Sequence, residues 1–449
     1  MTEMRRRTNT FILLGISVGI AQPSSALADD LQNLFVKASE REEAGASTEP
    51  SVVRTRAVRV NFDLLTPLAP RQGDKLRLNL FDDVSFVAIF ERSKVRSPGS
   101  YTWFGHLADE KYSSLILVVE QGVMAGSIRV PGKGVFQVGY LGSGVHVIRE
   151  IDESKLPPCG VGDPEGMGPQ GAPIPCTGPN NTCVDDGSQI DVLVVYSALA
   201  RVDAGGTAAI NALILSAFAT TNGMFTNSLI NTQLNLVLAA EIDYDESEPF
   251  PFTNLIDPND GIMDEVHALR DEVRADLVNL ILKDSSAVGQ LMQFGQPVEN
   301  YGFTLIPRSF SLGSFSHEIG HNMGCAHQRA GNNAGFFEYS FGYQFFGDSG
   351  SQWHTRMSGP PGTLISLFSN PNVLFDGQPT GIPAGQPDSA DNARTMNETA
   401  LMIANIRPSV PPDCNGNGID DDEDIANGTS ADENKNGVPD VCDIILRVD

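Results

Sequence analysis

Positive charge is scarce in this sequence. Thirty Lys and Arg stand against 56 Asp and Glu, a formal net charge of −26 over 449 residues. A chain this acidic is repelled by phosphate backbones, which argues against nucleic acid as a partner. Long apolar runs are also lacking. Beyond the N-terminus no segment reaches the roughly 18 apolar residues that a membrane helix needs, so no membrane span is expected. With 41% hydrophobic and 19% charged residues, the chain is neither disordered throughout nor a polytopic membrane protein. Cysteine is limited to Cys159, Cys176, Cys183, Cys325, Cys414 and Cys442. Histidine numbers only seven.

The first residues read as an export signal. Arg5, Arg6 and Arg7 precede a short apolar stretch, Phe11–Ala21, and Ala26-Leu27-Ala28 is an A-x-A cleavage site. Residues 1–28 are thus expected to be a signal peptide, and the protein to be secreted. That compartment permits disulfides. Residues 29–155 form a β-rich region, in which runs such as Val52–Val60, Leu115–Val119 and Val135–Tyr140 are punctuated by Gly and Pro. Its His106 and His146 stand alone and read as structural. Residues 156–188 are dense in Pro, Gly and Asn and read as an exposed linker. From 189 to 408 strands and helices alternate, predicting one α/β (α+β) domain with a mixed sheet. Residues 409–449 carry an acidic repeat.

Three of the seven histidines fall within His317-Glu318-Ile319-Gly320-His321-Asn322-Met323-Gly324-Cys325-Ala326-His327. His317 and His321 are one helical turn apart and project from one face. Gly324 stands where that helix must end, letting the chain turn and bring His327 to the same point. Three imidazoles hold one Zn²⁺ and leave a fourth position for water, the pattern of a catalytic ion. Glu318 is then the general base acting on that water. Cys325 is not needed as a ligand.

This window resembles the long zinc signature of the metzincin metallopeptidases, HExxHxxGxxH. Trp353-His354-Thr355-Arg356-Met357-Ser358-Gly359 looks like the family's Met-turn, with Met357 beneath the zinc. Phe368-Ser369-Asn370-Pro371 and Ala390-Asp391-Asn392-Ala393-Arg394 are similar to segments of reprolysin (adamalysin)-like secreted bacterial members. Gln328 departs from the Asp or Glu usual after the third histidine. Ser358-Gly359 offers no tyrosine two residues after Met357. The resemblance implies a zinc metalloendopeptidase acting on protein or peptide substrates. It also implies an edge strand, for which Val288–Met292 is the candidate, that pairs with extended substrate. By the same analogy residues 29–155 are a propeptide. A competing class is a non-enzymatic secreted protein with calcium-dependent adhesion or binding. Intact Glu318 argues against it, since a binder has no use for a base.

The repeat reads Asp413-x-Asn415-x-Asn417-Gly418-x-x-Asp421-x-x-Asp424, then nineteen residues on Asp432-x-Asn434-x-Asn436-Gly437-x-x-Asp440-x-x-Asp443. Oxygen-bearing side chains at 1, 3, 5, 9 and 12 with Gly at 6 match calcium loops, so two Ca²⁺ are expected. With only seven residues between the loops, the arrangement resembles thrombospondin type 3 repeats. Finally, Pro158-Cys159-Gly160-Val161-Gly162-Asp163 resembles the cysteine-switch segment of matrixin propeptides, in which a thiolate fills the open zinc position. Pairing Cys176 with Cys183 and Cys414 with Cys442 leaves Cys159 and Cys325 over, although those two could equally bond elsewhere.

Overall fold

The computed structural model describes residues 31–38, 49–65, 71–155, 159, 185–292, 301–329, 335–407, 415, 417, 419, 421–432 and 439–443. The expected signal peptide, most of the expected linker, and Cys176, Cys183, Asp413, Cys414, Asn434 and Asn436 lie outside them. So do the side chains of Cys442 and Asp443.

The N-terminal region is one antiparallel sheet of nine strands. They are β1 (Phe35–Lys37), β2 (Val52–Val60), β3 (Lys75–Phe81), β4 (Val84–Ser97), β5 (Ser100–Leu107), β6 (Ser114–Glu120), β7 (Val123–Val130), β8 (Gly134–Gly142) and β9 (Val145–Ile151). Their order is β1-β2-β9-β8-β7-β6-β5-β4-β3, mostly hairpin to hairpin. The two end strands meet. Leu34 N donates to Arg77 O at 2.9 Å, and Asn79 Nδ2 donates to Phe35 O at 2.7 Å. Curling the sheet in this way covers edges that would otherwise template aggregation. Inward residues, among them Leu34, Phe35, Leu78, Leu117, Met124, Phe136 and Ile148, fill the interior.

The second region runs β10 (Gln189–Ser197), α1 (Ala198–Ala204), α2 (Thr207–Asn227), β11 (Gln233–Ile242), α3 (Pro251–Ile256), α4 (Asp264–Glu272), β12 (Leu277–Leu282), β13 (Val288–Gly289), β14 (Phe303–Pro307), α5 (Ser311–Asn322) and, later, α6 (Asn392–Ile403). The sheet order is β11-β10-β12-β14-β13. Four strands are parallel, and β13 pairs antiparallel with β14. The parallel strands are covered on both faces, which explains their unbroken apolar runs. Ile190, Val192 and Val194 of β10 face α2, α5 and α6. Leu193 and Val195 face Leu255 and Val266 of α3 and α4 on the other side.

Helix α2 is apolar and long enough to cross a bilayer by composition. Here it is an internal spacer. Ile210, Ile214, Phe218 and Phe225 enter the core of the mixed sheet, while Ala212 packs on Ile116, Val118 and Ala125 of the N-terminal sheet. The rings of Tyr112 and Phe375, 4.3 Å apart, make a second contact between the regions. Near the C-terminus, α7 (Asp421–Asn427) and α8 (Asp440–Asp443) are short helices. The spacing between the acidic loops is therefore not plain connection: a helix begins at the ninth position of each loop.

Candidate active site

Helix α5 is amphipathic in two senses. Phe315, Ile319 and Met323, four residues apart, enter the core. His317 and His321 lie on another face. Gly324 has φ +89° and ends the run, and Cys325 N donates back to Gly320 O at 2.9 Å. A side chain at 324 would strike Phe336, with a Cβ 2.7 Å away, so the reversal requires glycine. The short strand Ala326–Gln328 then carries His327 back to the helix.

The three Nε2 atoms converge. His317 to His327 is 3.1 Å, His317 to His321 3.1 Å, and His321 to His327 3.2 Å. A tetrahedral ion with bonds of about 2.0–2.1 Å sets its ligands roughly 3.3 Å apart, so the triangle fits zinc. The opposite ring nitrogens are tied down. His317 Nδ1 lies 3.0 Å from Arg356 O and His321 Nδ1 lies 2.7 Å from Cys325 O. Donation to a carbonyl fixes the tautomer that leaves each Nε2 lone pair facing inward. Burial, then the neighbouring imidazoles, holds His317 well below its ordinary pKa. Burial and His327 push His321 down to about 3. Both rings are thus neutral, as metal ligands must be.

Glu318 is 1% exposed. Burial pushes its carboxyl up to about 8, against the opposing pull of Cys159 and Arg356. Cys159 is the one described residue between Lys155 and Asp185. Its Sγ lies 3.3 Å from Glu318 Oε2 and 3.6 Å from His321 Nε2. The thiol and the three imidazoles offer four ligand atoms, all within 4.8 Å of one another. Met357 is fully buried and packs beneath Gly320. Cys325 is turned away, its Sγ 3.7 Å from Asn392 O.

Residues 188–358 match the family described as metallo-peptidase family M12B, reprolysin-like. Similarity to whole proteins extends further. A peptidyl-Asp metalloendopeptidase of Stenotrophomonas maltophilia strain R551-3 is 29% identical over 437 residues, 88% of this chain and 97% of that one. A namesake from strain K279a is 28% identical, again over 88% and 97%. One from Xanthomonas campestris pv. campestris is 26% identical over 80% of this chain and 87% of its own. This chain is a zinc metalloendopeptidase whose residues 188–358 are similar to the reprolysin-like family.

In this metallopeptidase the structure gives roles to two residues that motif spacing left without one. Gln328, the departure after His327, accepts a hydrogen bond from Gly359 N at 2.9 Å and so ties the third histidine's strand to the turn after Met357. Arg356 supports His317 through its carbonyl, and its guanidinium donates to Gly313 O at the start of α5. Nothing in the local pattern marks either role, because both partners are remote in sequence. His354 is buried beside that turn. His146 is buried in the N-terminal sheet, its Nε2 accepting from Met124 N at 3.0 Å. His106 is half-buried, its Nδ1 2.6 Å from Glu91 Oε1. Of the acidic repeat, Asn415 and Asn417 each donate from Nδ2 to Asp424 Oδ2 at 2.7 Å. Asp421 lies on α7 with Asp424, Asp440 and Asp443 lie on α8, and Asp432 is half-buried.

Proposed function

We propose that this chain is made as a latent, secreted precursor whose zinc site is capped by Cys159. Once the N-terminal part is cut away, it hydrolyses peptide chains at aspartate. The observation that carries this is the approach of Cys159 Sγ to Glu318 and His321, inside the cluster that also holds the three converging Nε2 atoms. His317, His321 and His327 hold the ion, which when bound supplies Lewis acidity to a water and to the scissile carbonyl. Glu318 takes the water's proton at its carboxylate and hands it to the leaving amine. A thiolate in the fourth position excludes the water until the segment carrying Cys159 is removed.

Extended substrate joins the free side of β13. That strand is the sheet's edge and crosses directly over the helix: a Cβ at Gly289 would lie 2.7 Å from Glu318 O. Met292 N donates to His321 O at 3.0 Å, which locks the edge segment over the metal. The preference for aspartate is carried over from the relatives' names. The C-terminal repeat binds two calcium ions as a separate module, with no part in the chemistry. No observation favours the competing reading of a non-enzymatic binding protein.

The test is hydrolysis of a fluorogenic peptide with one internal aspartate by the secreted, processed protein. Activity should vanish with 1,10-phenanthroline and return with zinc. Cleavage insensitive to the chelator, or no cleavage by zinc-loaded protein, would refute the reading.

A further inference from the structure

Arg356 is 6% exposed, yet among the described residues nothing takes a hydrogen bond from its Nε or Nη1. Its Nη2 donates to Gly313 O, and its carbonyl takes His317 Nδ1, so the guanidinium is fixed beside the metal site. A buried guanidinium with unmet donors is unfavourable unless an anion joins it. The carboxylates that act on it electrostatically are Glu153 and Glu318. Glu318 is committed to the chemistry. Glu153 belongs to the N-terminal part, just after β9. Arg129 grips it with two bonds, 2.5 and 2.7 Å, and it makes no direct ion pair with Arg356.

A cavity of about 310 Å³ lies at this seam, lined by Arg129 and Glu153 on one side and by His354, Pro360, Thr363 and Leu364 on the other. Burial works to raise the pKa of Glu153, but Arg129, then Arg356 and His354, outweigh it and keep the side chain ionised. Six residues further along, Cys159 reaches the metal cluster. A carboxylate near the cation and a thiol in the metal cluster are thus six residues apart in sequence. Removing the N-terminal part takes Arg129 and Glu153 away together and leaves Arg356 and His354 behind.

We propose that Arg356 is the specificity-determining residue of this enzyme. It receives the acidic side chain of the substrate residue next to the cut bond, and Glu153 holds that acid's place while the N-terminal part is attached. The assignment deepens, and rests on, the reading of the chain as an aspartate-directed peptidase with a removable N-terminal part. A guanidinium suits the task because its planar fork meets a carboxylate with two parallel bonds. A site built around such a pairing rejects the uncharged isostere strongly, since its own donors are left unmet.

The experiment compares two peptides that differ only in Asp or Asn at the residue following the cut. Processed wild type should prefer Asp by at least about 100-fold in kcat/KM. Arg356→Gln keeps the carbonyl that orients His317. It should lose about 10²-fold or more on the Asp peptide, change the Asn peptide by less than about threefold, and retain one zinc per chain. Arg356→Lys, which keeps the charge but not the fork, should fall between. If zinc-loaded Arg356→Gln kept the wild-type preference, or lost both peptides equally, the assignment would be overturned. Wild type that cuts neither peptide would sink the peptidase reading itself, and Arg356 with it. Should the Arg356 variants emerge without zinc, Glu153 decides. In full-length Cys159→Ser chain, adding Glu153→Gln should raise Asp-peptide turnover about tenfold and leave Asn-peptide turnover unchanged. No relief, or equal relief of both, overturns the stand-in.

Discussion

The N-terminal sheet is antiparallel throughout and curls until β1 and β3 touch. The catalytic sheet is mostly parallel, open, and ends in the short antiparallel edge β13. The first arrangement leaves little room for another chain to add a strand. The second leaves one edge directly above Glu318. The contrast extends to where chemistry can sit. A closed antiparallel sheet points its side chains inward to a dry core or outward to water. A parallel sheet is covered by helices, and such a helix can carry ligands on the face its core does not use. Helix α5, which follows the last strand of the sheet, presents His317 and His321 in this way. Among the described residues the N-terminal sheet places no side chain in the metal cluster; beyond β9, Glu153 lies at the seam and Cys159 in the cluster.

The largest effect that separates the regions is expected from Glu318→Ala. It removes the carboxylate proposed as base and leaves the three imidazoles and the whole N-terminal sheet untouched. Peptide hydrolysis by the processed enzyme should fall by about 10²–10⁴-fold or more, with zinc content unchanged by metal analysis. Turnover within a few-fold of wild type would show that Glu318 does not act on the water.

The next effect lies on the link between the regions. Cys159→Ser in the full-length chain replaces a thiol, which zinc favours, with a hydroxyl that it binds weakly. The uncleaved precursor should hydrolyse peptide at least about tenfold faster than wild-type precursor. Equal latency, with zinc bound in both, would locate the block elsewhere in the N-terminal part.

How much of this was legible in the sequence divides along the same line. The apolar or alternating runs of β2, β6 and β8 stand out between turn residues. β5 and β7 do not: β7 is Val-Met-Ala-Gly-Ser-Ile-Arg-Val, buried along its whole length because α2 covers its outer face. No local period could announce a second layer lying some ninety residues downstream. In the catalytic region the buried strands β10 and β12 read as continuous apolar runs, and α5 declared itself through spacing alone. The calcium-loop spacing was visible, but the helical turn α7 inside it was not. Arg356 was passed over because its partners, Gly313 and Glu153, are 43 and 203 residues away, and a single arginine in a turn carries no pattern.

Acid and alkali should distinguish the two regions. His146, fully buried in the N-terminal sheet, is pushed down to about 4 by burial, against the pull of a hydrogen bond with Gly144. Between pH 6.5 and 4 the unfolded chain binds a proton that the folded sheet refuses, so stability falls as pH falls. The loss is on the order of 2–3 kcal/mol. Each region holds one of the chain's two tryptophans, Trp103 and Trp353. Denaturant unfolding of Trp353→Phe protein, read by Trp103 fluorescence, should shift to lower midpoint between pH 7 and pH 4. His146→Gln should flatten that shift, and an unchanged pH dependence in the variant would remove His146 from the account.

Asp276 gives the opposite sign in the catalytic region. It accepts the N–H of Asp191 at 2.9 Å and of Arg407 at 3.2 Å. Burial nevertheless raises its pKa to about 8. Between pH 3.8 and 8 the folded form holds the proton more tightly than the unfolded form, so stability falls as pH rises through that window. Asp276→Asn keeps an acceptor oxygen without the charge. It should stabilise this region by about 1–2 kcal/mol at pH 9 and by less at pH 5, read by Trp353 in a Trp103→Phe background. Equal effects at both pH values would mean that ionisation of Asp276 is not the cause.

The smallest effect on catalysis is expected from the C-terminal repeat, which shares no described contact with the metal cluster. Its first loop is already gathered around one carboxylate. Asp424 receives Asn415, Asn417 and Thr429, and the Oδ1 atoms of Asn415 and Asn417 brace the loop through the backbone N–H groups of Asn417 and Ile419. Asparagine amides swing on a single bond, so the same residues can present oxygens to a cation once Asp424 binds it. Truncation after Arg407 should therefore change kcat/KM by less than about twofold, while abolishing calcium binding. In the full-length chain, Asp424→Asn should reduce calorimetric stoichiometry from two calcium ions to one. Two ions still bound would place the first site on other residues, and a large loss of hydrolysis on truncation would join the tail to the catalytic region after all.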